Sequence, residues 1–197
     1  MKKKKKEEKK KEWYEKFRWF FTSSGKLVIG GKNAEQNEKI INEMLEDNDV
    51  VLHTKARGSP FCVIKVGRKK LKAKDIEEAA MFCAGFSKEW KKKVKEIEVH
   101  VFRPEQIVKE KNQAVGTFTV LGKVHKCYVK PELWLGIQKN KLRCAAKSCF
   151  KKPLIRIKPG NVEKEKAIEM IKEKLKDLGL KFNEEEIAQA IPSRICL

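Results

Sequence analysis

"RWFFTSSGKLVIGGKNAEQNEKIINEML", residues 18 to 45, changes its hydrophobic period half-way along, and that change sets the fold class. Two apolar runs, "RWFFTSS" and "KLVIGG", meet at Ser24-Gly25, which predicts two strands joined by a tight hairpin. Beyond Gly31 the apolar residues Ile40, Ile41, Met44 and Leu45 recur at helical spacing, which predicts a helix from Ala34 to about Leu45. Asn33 stands where an N-cap belongs, and Gln36 three residues later completes a capping-box pattern. Gly30 and Gly31 are read as the turn between strand and helix, because glycine enters positive φ without steric cost. The junction also has a chemical reading. A capped helix start presents free N–H groups and a positive dipole end, which suit an anion, and Lys32, Asn33, Gln36 and Asn37 stand beside it.

Outward from this stretch, strands are expected at "VVLHT" and "FCVIKV", separated by the turn "KARGSP". Others are expected at "IEVHVF", "GTFTVLG", "VHKCYV", "LWLGIQ" and "LIRIK". Between these two groups Ile76, Ala79, Ala80, Cys83 and Trp90 stripe one face of what reads as the longest helix, with Asp75 and Glu78 as a second capping box. After a break at Pro159-Gly160, Ala167, Ile168, Ile171, Leu175 and Leu178 form a helical stripe, with Asn161 as cap and Gly179 past its end. A short last helix starts at Asn183 and stops at Pro192. Strands and helices alternate only in part and several strands look hairpin-linked. That predicts an α+β fold: a central, largely antiparallel sheet, two main packing helices and C-terminal helices. The expected divisions are a lysine-rich tail at 1–12, one domain at 13–158 and a helical extension at 159–197.

The charge has one sign. In 197 residues, 47 Lys and Arg face 27 Asp and Glu, a net +20, which opposes compaction and points to a polyanionic partner. The first twelve residues hold eight lysines and three glutamates, so +15 remains on the rest and the basic character is not confined to a solvated tail. No apolar run approaches the roughly 18 residues of a spanning helix, and the lysine-rich start lacks a signal peptide's apolar stretch. A cytoplasmic protein with no membrane partner is expected. Its six cysteines then read as reduced thiols, with Cys62 and Cys83 as small core residues.

Signatures of catalysis are absent: no phosphate-binding G-x-x-x-x-G-K-[ST] loop, no G-x-G-x-x-G and no G-x-S-x-G elbow. His100 alternates with valines as on a strand, and His53 closes a strand before a basic, Gly-containing turn, where it reads as a hydrogen-bonding residue. No enzyme activity and no cofactor are expected. A zinc set of His125, Cys127, Cys144 and Cys149 is the sharper alternative, but Cys-x4-Cys is at the loose end of the usual two to four intervening residues. Structural thiols are the preferred reading.

The basic residues say more. Lys65, Arg68, Lys69, Lys70, Lys72 and Lys74 crowd one strand-to-helix link. Lys88, Lys91, Lys92, Lys93 and Lys95 crowd the end of the following helix, where the dipole favours cations for structural reasons alone. Lys109, Lys111, Lys123, Lys126 and Lys130 extend the charge over later strands. Such a surface binds phosphate backbones in a salt-dependent way. Near the start, Trp13, Tyr14, Phe17, Trp19, Phe20 and Phe21 divide between the core and any outward ring able to stack a base.

"WYEKFRWFFTSSGKLVIGGKNAEQNE" resembles the opening of the NFACT-R domain, the RNA-binding module of ribosome-associated quality-control factors. These include the nuclear export mediator factor and bacterial fibronectin-binding-protein-A-like proteins. Trp13, Phe17, Trp19 and Phe20 fit the family's aromatic opening, and Gly30 through Asn37 fit its I-G-G-R/K-D/N-A-x-Q-N segment. "DVVLHTKARGSP", with His53, Gly58 and Ser59, the helix "IEEAAMFCAGFSKEW", and "QIVKEKNQAVGTFTVLGK", with Lys109, Gly116 and Gly122, continue the resemblance to about residue 135. The large N-terminal domain, helical modules and coiled coil of full-length members have no counterpart here, and residues after 140 match loosely. The resemblance implies binding to tRNA or ribosomal RNA on the large ribosomal subunit, with no chemical reaction. An alternative is a module that docks on a separately encoded N-terminal part of such a factor. The contact residues expected are Gly30, Gly31, Lys32, Asn33, Gln36, Asn37, His53, Arg57, Ser59, Lys65, Arg68, Lys69, Lys109 and Lys111.

Overall fold

The computed structural model describes residues 11–197, so most of the lysine-rich tail expected at 1–12 lies outside the described residues. The hairpin forms as its sequence requires. Strands β1 (Arg18–Phe21) and β2 (Leu27–Gly30) pair antiparallel, with Phe21 opposite Leu27. Helix α1 (Ala34–Lys39) follows and runs into a π-helical turn over Ile40–Met44, in which adjacent Ile40 and Ile41 both reach the core. Next come β3 (Val50–Thr54), β4 (Cys62–Lys65), α2 (Ala73–Gly85), β5 (Ile97–Phe102), β6 (Ile107–Val108), β7 (Thr119–Val120) and β8 (His125–Val129). The C-terminal part adds β9 (Leu133–Gln138), β10 (Lys141–Ala145), β11 (Ile155–Val162), α3 (Lys164–Asp177), α4 (Glu184–Ala190) and β12 (Ile195–Cys196).

The main sheet has six strands in the order β1-β2-β4-β3-β5-β8, every neighbouring pair antiparallel. Its strands read as nearly continuous apolar runs because both faces are covered. Alternation sends Phe20, Val28, Leu52, Cys62, Ile64 and Val99 to a core under α2. The intervening Trp19, Ile29, Val51, Val63 and Phe102 go to a second core with Tyr14, Phe17 and the two isoleucines of the π turn. Burying each large side chain contributes about 1.5–3 kcal/mol, so the aromatic opening is mostly core. Trp13 is the exception, at 47% exposure.

A second sheet, β10-β9-β11-β12, carries α3 and α4 and a third core built around Trp90, Leu133, Leu135 and Ile157. The Trp90 indole N–H donates to the Arg194 carbonyl at 3.2 Å, tying the end of the chain to the segment after α2. The α+β architecture is as expected, and several local features differ. Strand β11 runs through Pro159 and Gly160, where the sequence suggested a break, and it bulges there against β12. Helix α2 stops at Gly85, with Trp90 on a separate 3-10 turn, so at 14 residues α3 is the longest helix rather than α2 with 13. Asp75 serves the start of α2 by accepting from the Lys72 backbone N–H, whereas Glu78 accepts from Ser23 N–H and Ser148 Oγ–H. Asn161 does not cap α3; its Oδ1 accepts from Lys93 Nζ at 2.8 Å. No helix among the described residues is long and apolar enough to cross a membrane.

Candidate nucleic-acid interface

Antiparallel register decides which residues meet. Gly30 lies opposite Cys62, and Leu52 lies opposite Cys62 from the other side, so the β2 exit, the β3 exit and the β4 entry share one end of the sheet. The Gly30-to-Asn37 junction and the His53-to-Ser59 turn, about twenty residues apart in sequence, therefore adjoin. They form two walls of a cleft of about 700 Å³, and residues 113–120, including β7, form a third.

The junction is built from hydrogen bonds. Asn33 Oδ1 accepts from Gln36 N–H at 2.8 Å, the expected cap. Gln36 Oε1 accepts from Lys32 N–H and its Nε2 donates to the Lys16 carbonyl, so both ends of its amide are engaged in holding the junction. Asn37 Oδ1 accepts from Phe61 N–H at 3.1 Å and clamps the junction to the entry of β4. Gly30 and Gly31 are not in the left-handed region that was expected to explain them. Gly31 is required by close approach: a Cβ there would lie 2.1 Å from Asn37 Oδ1.

The turn after β3 is similarly held. Ser59 Oγ accepts from Thr54 N–H, and Thr54 Oγ1 donates to the Ala56 carbonyl. Gly58, at φ +93°, does need the left-handed region, and Lys88 lies across it. His53 Nδ1–H donates to the Thr54 carbonyl at 2.7 Å, and its ring packs on Phe61 at 4.6 Å. Burial pushes the His53 pKa below its ordinary value; the Thr54 carbonyl opposes the shift, and His100, directly across the strand pair, reinforces it. A neutral, half-buried imidazole is a positioned surface, and the Thr54 bond fixes its tautomer.

The cleft's charge is uncompensated at its rim. Arg18, Lys32, Lys55, Arg57 and Lys88 line it, and no carboxylate does. Lys55 pairs with Glu98 at 3.2 Å, while the other four form no ion pair among the described residues. Partial burial, then Arg18 and Arg143, push Lys32 below the ordinary lysine range. The inner wall is apolar, with Phe61 against Phe118 edge-to-face at 5.5 Å, and Val115 stands 57% exposed at the lip.

Of the residues expected to contact a ligand, Gly31, Lys32, Asn33, Asn37, His53, Arg57 and Ser59 line this cleft. Gly30 is buried behind it, and Gln36 lies outside its lining, bonded to Lys32 N–H and the Lys16 carbonyl. Lys65, Arg68 and Lys69 are at the opposite end of the sheet, since Lys65 pairs in register with Leu27. Lys65 is not a free cation: its Nζ bonds to the Met44 carbonyl at 2.6 Å and to the fully buried Asp49 carboxylate. Lys109 is also committed, to Glu38 at 2.9 Å and to the carbonyls of Ala114 and Thr117. Glu38 accepts from Gly116 N–H as well, so Lys109 fastens the β6–β7 ribbon onto α1. Lys111 is exposed and outside the cleft. The alternative zinc residues do not converge. His125 and Cys127 are on the main sheet's edge strand, Cys144 is buried in the other sheet, and no metal-sized group of ligands occurs among the described residues. Burial pushes the Cys144 thiol up, away from the thiolate a metal needs.

Sequence reasoning missed Arg18, Lys55 and Lys88 as a set. Arg18 stacks its guanidinium on Phe86 at 4.6 Å, beside Lys88, in a contact spanning some seventy residues. The local signal was an arginine within an apolar strand, where a buried charge requires a reason.

Residues 16–122 match the family described as the NFACT protein RNA binding domain. The archaeal Rqc2 homolog aRqcH of Methanocaldococcus jannaschii is 35% identical over 197 residues, which cover 94% of this chain and 29% of that protein. The human ribosome quality control complex subunit NEMF is 34% identical over 83 residues, 42% of this chain and 8% of its own. The solved C-terminal structure of the fibronectin/fibrinogen-binding protein from Streptococcus suis shares the fold at a TM-score of 0.54 and 21% identity, over 65% of this chain and 50% of that one. The chain thus spans less than a third of the archaeal relative's length. With the glycine junction and the turn after β3 both inside the matched stretch, the chain belongs to the NFACT protein RNA binding domain family.

Proposed function

We propose that this domain binds RNA through the cleft, as part of ribosome-associated quality control, with tRNA or large-subunit ribosomal RNA as ligand. One observation carries the reading: five cations and no carboxylate converge on a cleft whose inner wall is aromatic and apolar. Its volume falls in the range of about 300–1,000 Å³ typical of ligand pockets. Cations at the rim neutralise phosphates, and Val115 at the lip with Phe118 on the inner wall offers an apolar face to an unpaired base. The ribosome quality-control context rests on the names of the relatives, and the compartment that goes with it is the cytoplasm. The role assigned is binding without a chemical step. His53 holds the turn and presents its ring.

The test is tRNA binding followed by fluorescence anisotropy over a salt series. Affinity is expected to fall steeply with salt, as it does whenever phosphate contacts release counterions. A flat response would sink the reading. A second reading is docking on a separately encoded remainder of such a factor. It predicts a partner protein that stays bound to the purified chain after nuclease treatment, and loss of that partner with the RNA would exclude it.

A further inference from the structure

Behind the cleft lies a smaller cavity of about 180 Å³, and Arg18, Gly58, Phe86 and Lys88 belong to the walls of both. It sits at the seam between the main sheet and the C-terminal segment. Lys91, from the turn after α2, and Lys164, the first residue of α3, complete its charged lining. The remaining polar lining is neutral, Ser87 and Ser193, and no carboxylate faces it. At about 30 Å³ per water, it has room for roughly six waters, ample for a tetrahedral anion.

Four cations gathered here repel one another, and such a cluster is costly without a counter-charge. Arg18 and Lys164 are also partly withdrawn from water, while Lys88 and Lys91 stand exposed at the mouth. None of Arg18, Lys88, Lys91 and Lys164 forms an ion pair among the described residues. Arg18 Nε is sealed from solvent with no hydrogen-bond partner, an orphan donor of a kind that native structures rarely leave. Burial, and then Arg18 itself, push the Lys164 pKa down. α3 begins at this point with no side-chain cap, which adds its positive end to the same space.

We propose that the seam cavity is a phosphate-group site, filled in the bound state by one phosphate of the RNA whose neighbouring nucleotides occupy the cleft. The site rests on the cleft reading for the source of its phosphate and on its own geometry for its chemistry. Arg18 supplies the planar fork that fits phosphate oxygens, held flat by Phe86, while the lysines act as point charges. Because Lys164 and Ser193 come from the C-terminal segment, that segment contributes to the interface and does not merely pack against it.

The experiment has two arms on the full chain. In the first, inorganic phosphate is titrated against chloride at constant ionic strength while the amide resonances of Ser87, Lys88 and Ser193 are followed by NMR. Saturable, phosphate-specific shifts are expected, and they should vanish in the Lys91→Gln, Lys164→Gln double variant. In the second, tRNA affinity of that double variant should fall about tenfold, with a salt slope shallower by about 1, the signature of one lost phosphate. Lys151→Gln with Lys152→Gln, exposed and outside both cavities, removes equal charge and should change neither readout. Arg18→Lys keeps the charge but not the fork, and should weaken phosphate binding in a chain whose melting temperature shows it folded. Absence of saturable shifts, or unchanged tRNA affinity in the double variant, would overturn the proposal. Specific phosphate shifts in a chain that binds neither tRNA nor ribosomal RNA would refute the cleft reading and, with it, the RNA source proposed here, leaving the phosphate chemistry of the cavity standing.

Discussion

The two ends of the main sheet are both rich in lysine, and they use it in opposite ways. At the end where β2 meets α1, the rim cations Arg18, Lys32, Arg57 and Lys88 form no ion pair among the described residues and converge on one cleft. At the other end a dense basic run follows β4, yet the lysines nearest the sheet are internal ties. Lys26, only 3% exposed, donates its ammonium to the carbonyls of Val66 and Lys69, and Lys65 is sunk against Asp49. A buried ammonium that satisfies loop carbonyls has exchanged water for fixed partners and has nothing left for a phosphate. The difference teaches that an interface is marked by cations lacking partners, and that a count of lysines along the sequence does not distinguish the two.

The contrast can be broken at several points, the largest effect first. Lys65→Met should cost about 3 kcal/mol of stability, because Asp49 would remain buried without its counter-charge, while tRNA affinity at equal folded fraction stays within about twofold. Urea denaturation and anisotropy measure the two; an affinity loss without a stability loss would reverse the assignment. Gly31→Ala should cost about 2 kcal/mol by overpacking against Asn37, and should loosen the cleft as well, a joint loss that denaturation and binding would show together. Replacing Lys32, Arg57 and Lys88 by Gln should lower tRNA affinity about tenfold, near 1.4 kcal/mol, with little change in melting temperature. The matched triple Arg68→Gln, Lys69→Gln, Lys70→Gln should lower it no more than about twofold, since those exposed charges lie at the other end. Equal losses would dissolve the distinction between the ends.

The smallest effect is on pH. Burial holds the His53 pKa below 6.5 in the folded chain, so the unfolded chain takes up the proton first. Stability should therefore decline as pH falls through and below about 6.5, and His53→Gln should flatten that limb of the curve. Glu98, held down to about 2 by His100, Lys55 and Lys126, titrates in a lower window and leaves this limb clean.

The fold was legible because its main strands are buried on both faces and so announce themselves as apolar runs. β10 was not legible: Lys141 and Arg143 alternate with Leu142 and Cys144 in a stretch too polar to stand out. The junction at Gly30 to Asn37 could be read as a capped helix start, but not the reason for Gly31, which lies in Asn37 reaching across to Phe61. Lys109 was expected as a contact residue, and its structural tie was not legible because its partner, Glu38, is 71 positions away, a pairing of which the sequence gives no hint. For the same reason Arg18 and Lys88 could not be joined before the strand and the turn were placed.

The family match closes at residue 122, whereas the main sheet closes only with β8 at residues 125–129. A fragment trimmed to the matched boundary would strip β5 of its outer neighbour and bare a row of backbone donors and acceptors flanked by Val99 and Val101. Exposed ladders of that kind recruit strands from other molecules, so such a fragment should self-associate into β-rich aggregates. Material intended for crystallisation or binding work is better carried through β12, where the Trp90–Arg194 bond closes the structure.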